Sequence, residues 1–397
     1  MVSSRELLRR NRAFRRLFLA SVVSLAGDWF SFVAVADLVT ELTGTPGAAA
    51  FTYAATVLPM FLASPIAGAV IDRFDRRRVL VIADLSRVPI ALALCFAGHS
   101  VALAIAAIIG LGIGASFYDP AASAATPNLV DADELATAQA LMGAVWGSML
   151  LVGAGLGGLV AELLGRNAAF AIDAASFLIS AVLVMGIGRP MQEPRTAEHG
   201  GGFGEALRYA RSSPLVARLL FAKVGVSSAN GIVGLLPAFA RGRFGGTNIA
   251  TGLLFSARGL GAMLGPMLAR GAAGAEPSTR AIIWICGLST LTYAAVYAAL
   301  PVTPWLPLAL VLVVLAHLGG GAQWALSTYG LQAGTPDHLR GRVLSLDYGL
   351  ATLAIGASAI VAGLLANAFG AATSTWLLTG FAGVYGVAWL AWSAKVR

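Results

Sequence analysis

Apolar runs of about twenty residues recur along this chain, the length a helix needs to cross roughly 30 Å of hydrocarbon. Read against glycine, proline and charge punctuation they number twelve, near 16–38, 47–71, 79–97, 101–122, 137–161, 168–187, 216–239, 248–269, 280–300, 305–327, 342–366 and 374–393. Lipid offers no partner for a bare backbone, so such runs have to close their own hydrogen bonds as helices. Composition points the same way. Hydrophobic residues make up 58% of the chain and charged ones 12%. A soluble domain carries roughly 25% charged residues, so this chain is too apolar to surface the two or three soluble domains its 397 residues would otherwise form. The expectation is an all-α integral membrane protein of twelve transmembrane helices.

A net charge of +8 raises the question of nucleic acid, but the 27 lysines and arginines fall in short bursts between apolar runs and form no basic stripe. Nucleic acid is not an expected partner. Counted by alternate loops, 23 of them lie on one side: the N-terminus, the segments after spans 2, 4, 6, 8 and 10, the C-terminus, and the adjoining helix ends. Arg166, Arg241 and Arg243 lie on the other side, and Arg258 sits inside span 8. Positively charged loops stay inside, which puts both termini in the cytoplasm; the expected location is the cytoplasmic (inner) membrane. Six arginines between Arg5 and Arg16, followed by an apolar run with Ala34-Val35-Ala36, resemble a secretory signal. That run is about twenty residues long and is the first of many, so it reads as span 1.

Several chemistries find no support. Cys95 and Cys286 lie in apolar runs and read as small core residues. Neither Lys223 nor Lys395 belongs to a phosphate-cradling G-x-x-x-x-G-K-[ST] loop. No His, Cys and Asp cluster has metal-site spacing and no nucleophile stands with a base, so no metal, cofactor or enzymatic activity is expected.

The longest non-apolar stretch, 189–214, contains Pro190, Pro194 and Gly200-Gly201-Gly202. It reads as a cytoplasmic linker with an amphipathic piece around Phe203–Arg211, between six-span halves at 1–188 and 215–397. The halves echo one another. Ala125-Thr126-Pro127, followed by Asp131, Asp133 and Glu134, matches Gly334-Thr335-Pro336, followed by Asp337, Arg340 and Arg342, 209 positions further on. Duplicated six-helix bundles related by a pseudo-two-fold axis mark several transporter folds.

At the cytoplasmic end of span 2 the sequence reads Gly68-Ala69-Val70-Ile71-Asp72-Arg73-Phe74-Asp75-Arg76-Arg77-Arg78. It resembles the G-x-x-x-D-R-x-x-R-R loop of the major facilitator superfamily, with Asp75 where that family usually has glycine. A glycine there lets helices approach closely, and a carboxylate at a helix end can pair with arginines. The resemblance implies a cytoplasmic latch built from Gly68, Asp72, Arg73 and Arg77; the simpler reading is a positive membrane anchor. Further pieces, Ser24-Leu25-Ala26-Gly27-Asp28, Asp84-Leu85-Ser86-Arg87, Ile172-Asp173-Ala174-Ala175-Ser176-Phe177 and Thr335-Pro336-Asp337 with Arg340-Gly341-Arg342-Val343, are similar in order and spacing to the branch holding macrolide-efflux proteins and enterobactin-type siderophore exporters. Gly153-Ala154-Gly155-Leu156-Gly157-Gly158 resembles the antiporter motif G-P-x-x-G-G with alanine for proline, and its small residues suit close packing on span 8 at Gly261 and Gly265-Pro266. The arginine that many drug exporters of the superfamily carry in span 4 is missing between Val101 and Asp119.

Charges inside a membrane are costly and mark function by default. Asp28 is eleven residues beyond Leu17, roughly 16 Å at 1.5 Å per residue and so near the midplane. A carboxyl there either exchanges protons as a cavity opens to each side, or binds substrate, or is held in a fixed ion pair, or is a satisfied structural carboxylate. Arg258 either pairs with an acid or binds an anionic part of the substrate. Asp173, toward the outer end of span 6, is a transport residue or a structural hydrogen-bonding carboxylate. Asp84 and Arg87, at i and i+3, pair with each other or with the latch, to which the resemblance also assigns Arg340 and Arg342. His317 could titrate near neutral pH or be structural. In the superfamily spans 1, 4, 7 and 10 line the central cavity, which would bring Trp29, Phe32, Asn230, Gln323 and Trp324 near substrate. Trp29 and Trp324 would otherwise be packing residues.

The resemblance implies a monomeric secondary transporter, surrounded by membrane lipids, that exports a small amphiphilic molecule in exchange for protons by alternating access. Two rivals keep the same scaffold: a lipid or lysophospholipid flippase, and a non-transporting membrane sensor or assembly factor.

Overall fold

The computed structural model describes residues 3–131, 134–192, 203–273 and 277–394. Its helices run in chain order α1 (Ser4–Arg10), α2 (Arg12–Thr43), α3 (Ala48–Arg73), α4 (Arg76–Ala93), α5 (Val101–Leu129), α6 (Leu135–Leu163), α7 (Arg166–Met185), α8 (Phe203–Ser212), α9 (Pro214–Ser227), α10 (Gly231–Arg243), α11 (Asn248–Ala273), α12 (Thr279–Ala299), α13 (Leu306–Ala333) and α14 (Asp337–Ser393). No strand occurs among the described residues. Among the described residues ten stretches are long and apolar enough to cross a membrane, and α3 makes an eleventh if its two parts count as one span. The fold is an all-α integral membrane bundle.

Helix ends and breaks follow from particular residues. Asp75 caps α4 by accepting from the Arg78 amide at 3.1 Å, so the residue that departs from the family loop starts the next helix. In α3, Ala48–Ala63 and Pro65–Ile71 meet at 51°, where Pro65 lacks an N–H for the helical ladder. Gly370 (φ 85°, ψ 158°) interrupts α14 between the spans expected at 342–366 and 374–393. That backbone geometry is open to glycine and strained for other residues.

The chain packs as two units. The first comprises Met1–Gly44, Ala55–Thr196 and Thr247–Ser256; the second Thr45–Ala54, Ala197–Gly246 and Ala257–Arg397. In the first, α2 lies against α5, α6 and α7, and α4 against α5 and α7. At the charged end of this unit Leu7, Phe14, Leu17, Leu80, Tyr118 and Leu129 form a buried apolar cluster. In the second, α14 packs on α9, α10 and α12, and α13 on α9 and α12. The amphipathic piece seen in the sequence forms α8, tied to the end of α13 by Tyr209, whose hydroxyl donates to Gly334 O at 2.6 Å. Residues 193–202 of the expected linker lie outside the described residues.

The glycine-rich face of α6 is used in both directions. Gly153 and Gly157 face Ala26 and Phe30 of α2, while Gly155 and Gly158 face Ser256, Asn248 and Gly252 at the start of α11. Close packing on span 8 therefore occurs through the expected span 5 glycines Gly155 and Gly158, but not at Gly261 and Gly265 of span 8. Gly261 and Gly265 face Val314, His317 and Leu318 of α13 instead. Their spacing was legible in the sequence; the direction they face depends on how α11 is turned.

A buried charge network and its neighbours

Three helices of the first unit converge on Arg87. Its guanidinium donates to Asp84 on its own helix, to Asp28 of α2 at 3.3 Å and to Ser24 Oγ at 3.1 Å. Ser24 in turn donates to Asp84 at 3.4 Å. The faces of the guanidinium lie over Phe177, 4.2 Å from the ring centre, and Tyr118, 5.2 Å away. Arginine suits such a site because its fork binds two acceptors while its plane stacks on rings. Gly114 of α5 gives the stem its room, since a Cβ there would come within 2.7 Å of Arg87 Cδ.

Two more carboxylates join this neighbourhood. Asp173 of α7 is fully buried and accepts from Ser31 of α2, and it lies within electrostatic reach of Asp28 and Arg87. Asp119 of α5 is exposed and feels Asp28, Arg87 and Asp84. The close α2–α7 contact that brings Asp173 in is made at Gly27, where a side chain would overlap Ser176 and Asp173. Asp28 keeps 25% of its side-chain surface exposed, whereas Arg87 and Asp84 are enclosed at 1% and 0%. The site thus has a partly open carboxylate, Asp28, backed by a closed ion pair. Asp84 and Arg87 do pair with each other, and the same arginine extends the pair to Asp28. Although span 4 lacks a basic residue, α4, the third span, supplies the cation.

Beside this network Trp29 meets Phe32, Trp146 and Phe255 at ring-centre distances of 5.6, 6.3 and 6.2 Å. Phe32 is buried.

The second unit carries its own polar chain, centred on a break in the seventh span. Helix α9 ends at Ser227 and α10 begins at Gly231. Between them Ser358 of α14 accepts from the Gly231 amide at 2.9 Å and donates to Ser228 O at 2.7 Å. These bonds satisfy backbone groups that the break releases, the condition for irregular backbone at membrane depth. Asn230 sits in the break. It accepts from Tyr53 Oη at 2.9 Å and donates to Tyr293 Oη at 3.4 Å. Arg258 donates to Tyr53 Oη at 3.1 Å. Tyr297, its ring tilted 55° to that of Tyr293 with centres 4.7 Å apart, hydrogen-bonds His317 Nε2 at 2.9 Å. Arg258, Asn230 and His317, three separate sequence candidates, therefore belong to one cluster completed by three tyrosines.

The remaining candidates scatter. Gln323 is buried, its amide donating to Ala222 O, Cys286 O and Thr290 Oγ1 at 2.8, 3.1 and 2.8 Å. It holds three helices together. Trp324 is partly exposed, with the Lys223 ammonium 4.8 Å from its ring centre. In the loop expected to be a latch, Arg76 donates to Ala124 O, Asn128 and Met191 O, and Arg77 to Arg189 O at 3.2 Å. Arg73 is exposed, and Arg340 reaches Thr335 O at 3.5 Å while Arg342 is half-buried. The Asp72 side chain lies outside the described residues. A Cβ at Gly68 would meet nothing within 4 Å, so close helix approach is not what glycine provides there. Among the described residues no three His, Cys, Asp or Glu side chains are placed to hold a metal ion.

The sequence reading missed Asp119, the serines of α2, the three tyrosines and the pair Lys223–Asp347. Lys223 was counted with the topology-setting charges, yet it is buried and bonded to Asp347. The signal available was a lysine and an aspartate each several residues inside an apolar run.

Apolar helices enclosing ionisable side chains, with one span broken at a polar residue, are the build of a membrane transport protein. The chain belongs to the transmembrane secretion effector family of the major facilitator superfamily, whose profile matches residues 7–397. It is 30% identical over 374 residues to the multidrug efflux pump Tap of Mycolicibacterium fortuitum, covering 89% of each chain. It is 26% identical over 352 residues to the enterobactin exporter EntS of Salmonella typhimurium, covering 86% of this chain and 82% of that one. Its fold matches a bacterial homologue of the human lysosomal transporter Spinster, solved in an inward-facing and unoccupied conformation, with a TM-score of 0.76 at 15% identity over 97% and 98% of the two chains.

Proposed function

We propose that this protein exports a small amphiphilic compound, of drug or siderophore size, across the cytoplasmic membrane by proton antiport and alternating access. The observation that carries the reading is Asp28: paired to Arg87, yet a quarter open. A carboxylate in that position can exchange its arginine for a proton or for a donor group of the cargo. Arg87 then keeps Asp84, Ser24 and two aromatic faces, so no buried cation is stranded when Asp28 becomes neutral. The names of Tap and EntS support export as the direction and amphiphilic small molecules as the cargo.

In this reading the halves 1–188 and 215–397 are the moving bodies, joined by 189–214, with both termini in the cytoplasm and the chain working as a monomer. Asp173 supports Asp28, and the Arg258–His317 cluster contributes polar groups to the cargo path with Trp29 and Trp324. The loops of Gly68, Asp72, Arg73 and Arg77 and of Arg340 and Arg342 latch the inner side.

The test is uptake of ethidium into proteoliposomes under an imposed pH gradient. Asp28→Asn is expected to reduce gradient-driven movement to that of protein-free liposomes. Wild-type flux from that variant would remove Asp28 from the coupling role.

A further inference from the structure

The second unit contains a buried ion pair that the function proposed above leaves unused. Lys223 of α9 and Asp347 of α14 are bonded to each other, each with 3% of its side chain exposed. The ammonium also donates to Thr328 Oγ1 at 2.8 Å and lies 4.8 Å from the centre of the Trp324 ring. Thr328 gives its own proton to Trp324 O at 2.8 Å, which leaves a lone pair for the lysine. The three N–H groups of Lys223 thus all have a place. The carboxylate is different. Asp347 Oδ1 is buried and has no hydrogen-bond partner among the described residues.

A buried carboxylate oxygen without a donor is unfavourable. A site closed to 3% admits no organic group unless the helices move apart. The donor that fits without rearrangement is a proton. Of the helices packed around the pair, α12 contributes the Cys286 thiol and α13 the neutral Thr328 and Trp324. On α14 itself Tyr348 stands edge-on to Trp324 at 6.3 Å. Among the described residues Lys223 is the charged group acting on Asp347.

We propose that Asp347 is a second proton-binding group of the transport cycle, in the second unit, with Lys223 as its resident counter-charge. The inference rests on the proton-coupled reading above. A proton from water adds to Asp347 Oδ1 and the acid becomes neutral. Lys223 keeps its bond to Asp347 Oδ2, which still accepts as the carbonyl oxygen of the acid, and stays held by Thr328 and the Trp324 face. Release of the proton to the opposite side restores the pair. Access separates the two carboxyls: Asp28 is open to a proton and to cargo, whereas Asp347 takes the proton alone.

Two measurements on the full-length protein in liposomes test this. Infrared difference spectra between acid and alkaline buffer report protonated carboxyl groups directly and need no cargo. One carboxyl band is expected to vanish in Asp28→Asn and a different one in Asp347→Asn, while Asp347→Glu retains a shifted band and serves if the asparagine variant does not fold. The second measurement is protons moved per ethidium, expected to fall about twofold in Asp347→Asn as one of two titrating groups is lost, with ethidium binding unchanged. An Asp347→Asn spectrum identical to wild type overturns the inference and leaves Asp28 standing. So does a Lys223→Met/Asp347→Asn double variant with wild-type protons per ethidium, which would make the pair a structural tie. If Asp28→Asn also loses no band and keeps its flux, the proton-coupled reading itself fails.

Discussion

Arg87 is held at its two terminal nitrogens, over both faces and along its stem, while its Nε has no hydrogen-bond partner among the described residues. Carboxylates and a serine hydroxyl meet its edge, two rings cover its faces, and Gly114 lies along its stem. The pairing with Asp84 was legible, because i and i+3 share a helix face. The pairing with Asp28 was not, since the two lie 59 positions apart on different helices. The same holds for Asn230: its amide was a visible candidate, but its partners Tyr53 and Tyr293 lie 177 and 63 positions away. Removing Arg87 leaves Asp84 buried and unpaired. Arg87→Met is expected to lower stability by about 3–5 kcal/mol, read as a reduced thermal midpoint of the purified protein. Gly114→Ala should act more selectively. A methyl within 2.7 Å of Arg87 Cδ displaces the guanidinium, so gradient-driven ethidium movement should fall while the protein still purifies as a folded monodisperse species. Full activity in Gly114→Ala would show that the exact seat of Arg87 does not matter.

At the scale of helices, apolar length located the ten or eleven stretches among the described residues that are long enough to span, against twelve expected, while the breaks had less obvious signals. Proline marks the bend in α3, as its missing N–H requires. The gap between α9 and α10 contains no proline; it is stabilised by Ser358 from another helix, a contact that no local pattern announces. The matched Thr-Pro pieces also diverge. Pro127 lies inside the last turn of α5, whereas Pro336 stands before the first turn of α14. Equal sequence therefore serves a helix end in one half and a helix start in the other. Gly370 offers the cleanest test. Its φ of 85° is one that an L-residue with a Cβ resists, so Gly370→Ala is expected to cost about 1–2 kcal/mol. Nothing lies within 4 Å of a Cβ there, so any loss reports backbone conformation and not a clash. An unchanged thermal midpoint would refute the strain argument.

For the whole molecule, the charge asymmetry makes a prediction that does not depend on any side-chain contact. Single cysteines placed at Ser3 and Arg78 in a variant lacking Cys95 and Cys286 should react with a membrane-impermeant thiol reagent only in inside-out vesicles, and one at Thr45 only in intact cells. Reversed labelling would overturn the orientation drawn from the arginine distribution. The sequence by itself determined that the chain is a helical membrane protein of the major facilitator superfamily. Apolar length, charge asymmetry and short motifs are local or additive properties, and packing does not alter them. Only the tertiary structure decided which of these charges lie against one another and which lie apart. Lys223 counts as one more cytoplasmic cation in a tally, yet it is buried against Asp347, 124 positions away. Once helices pack, partners are set by the face each residue presents and by its depth, and separation along the chain says nothing about either.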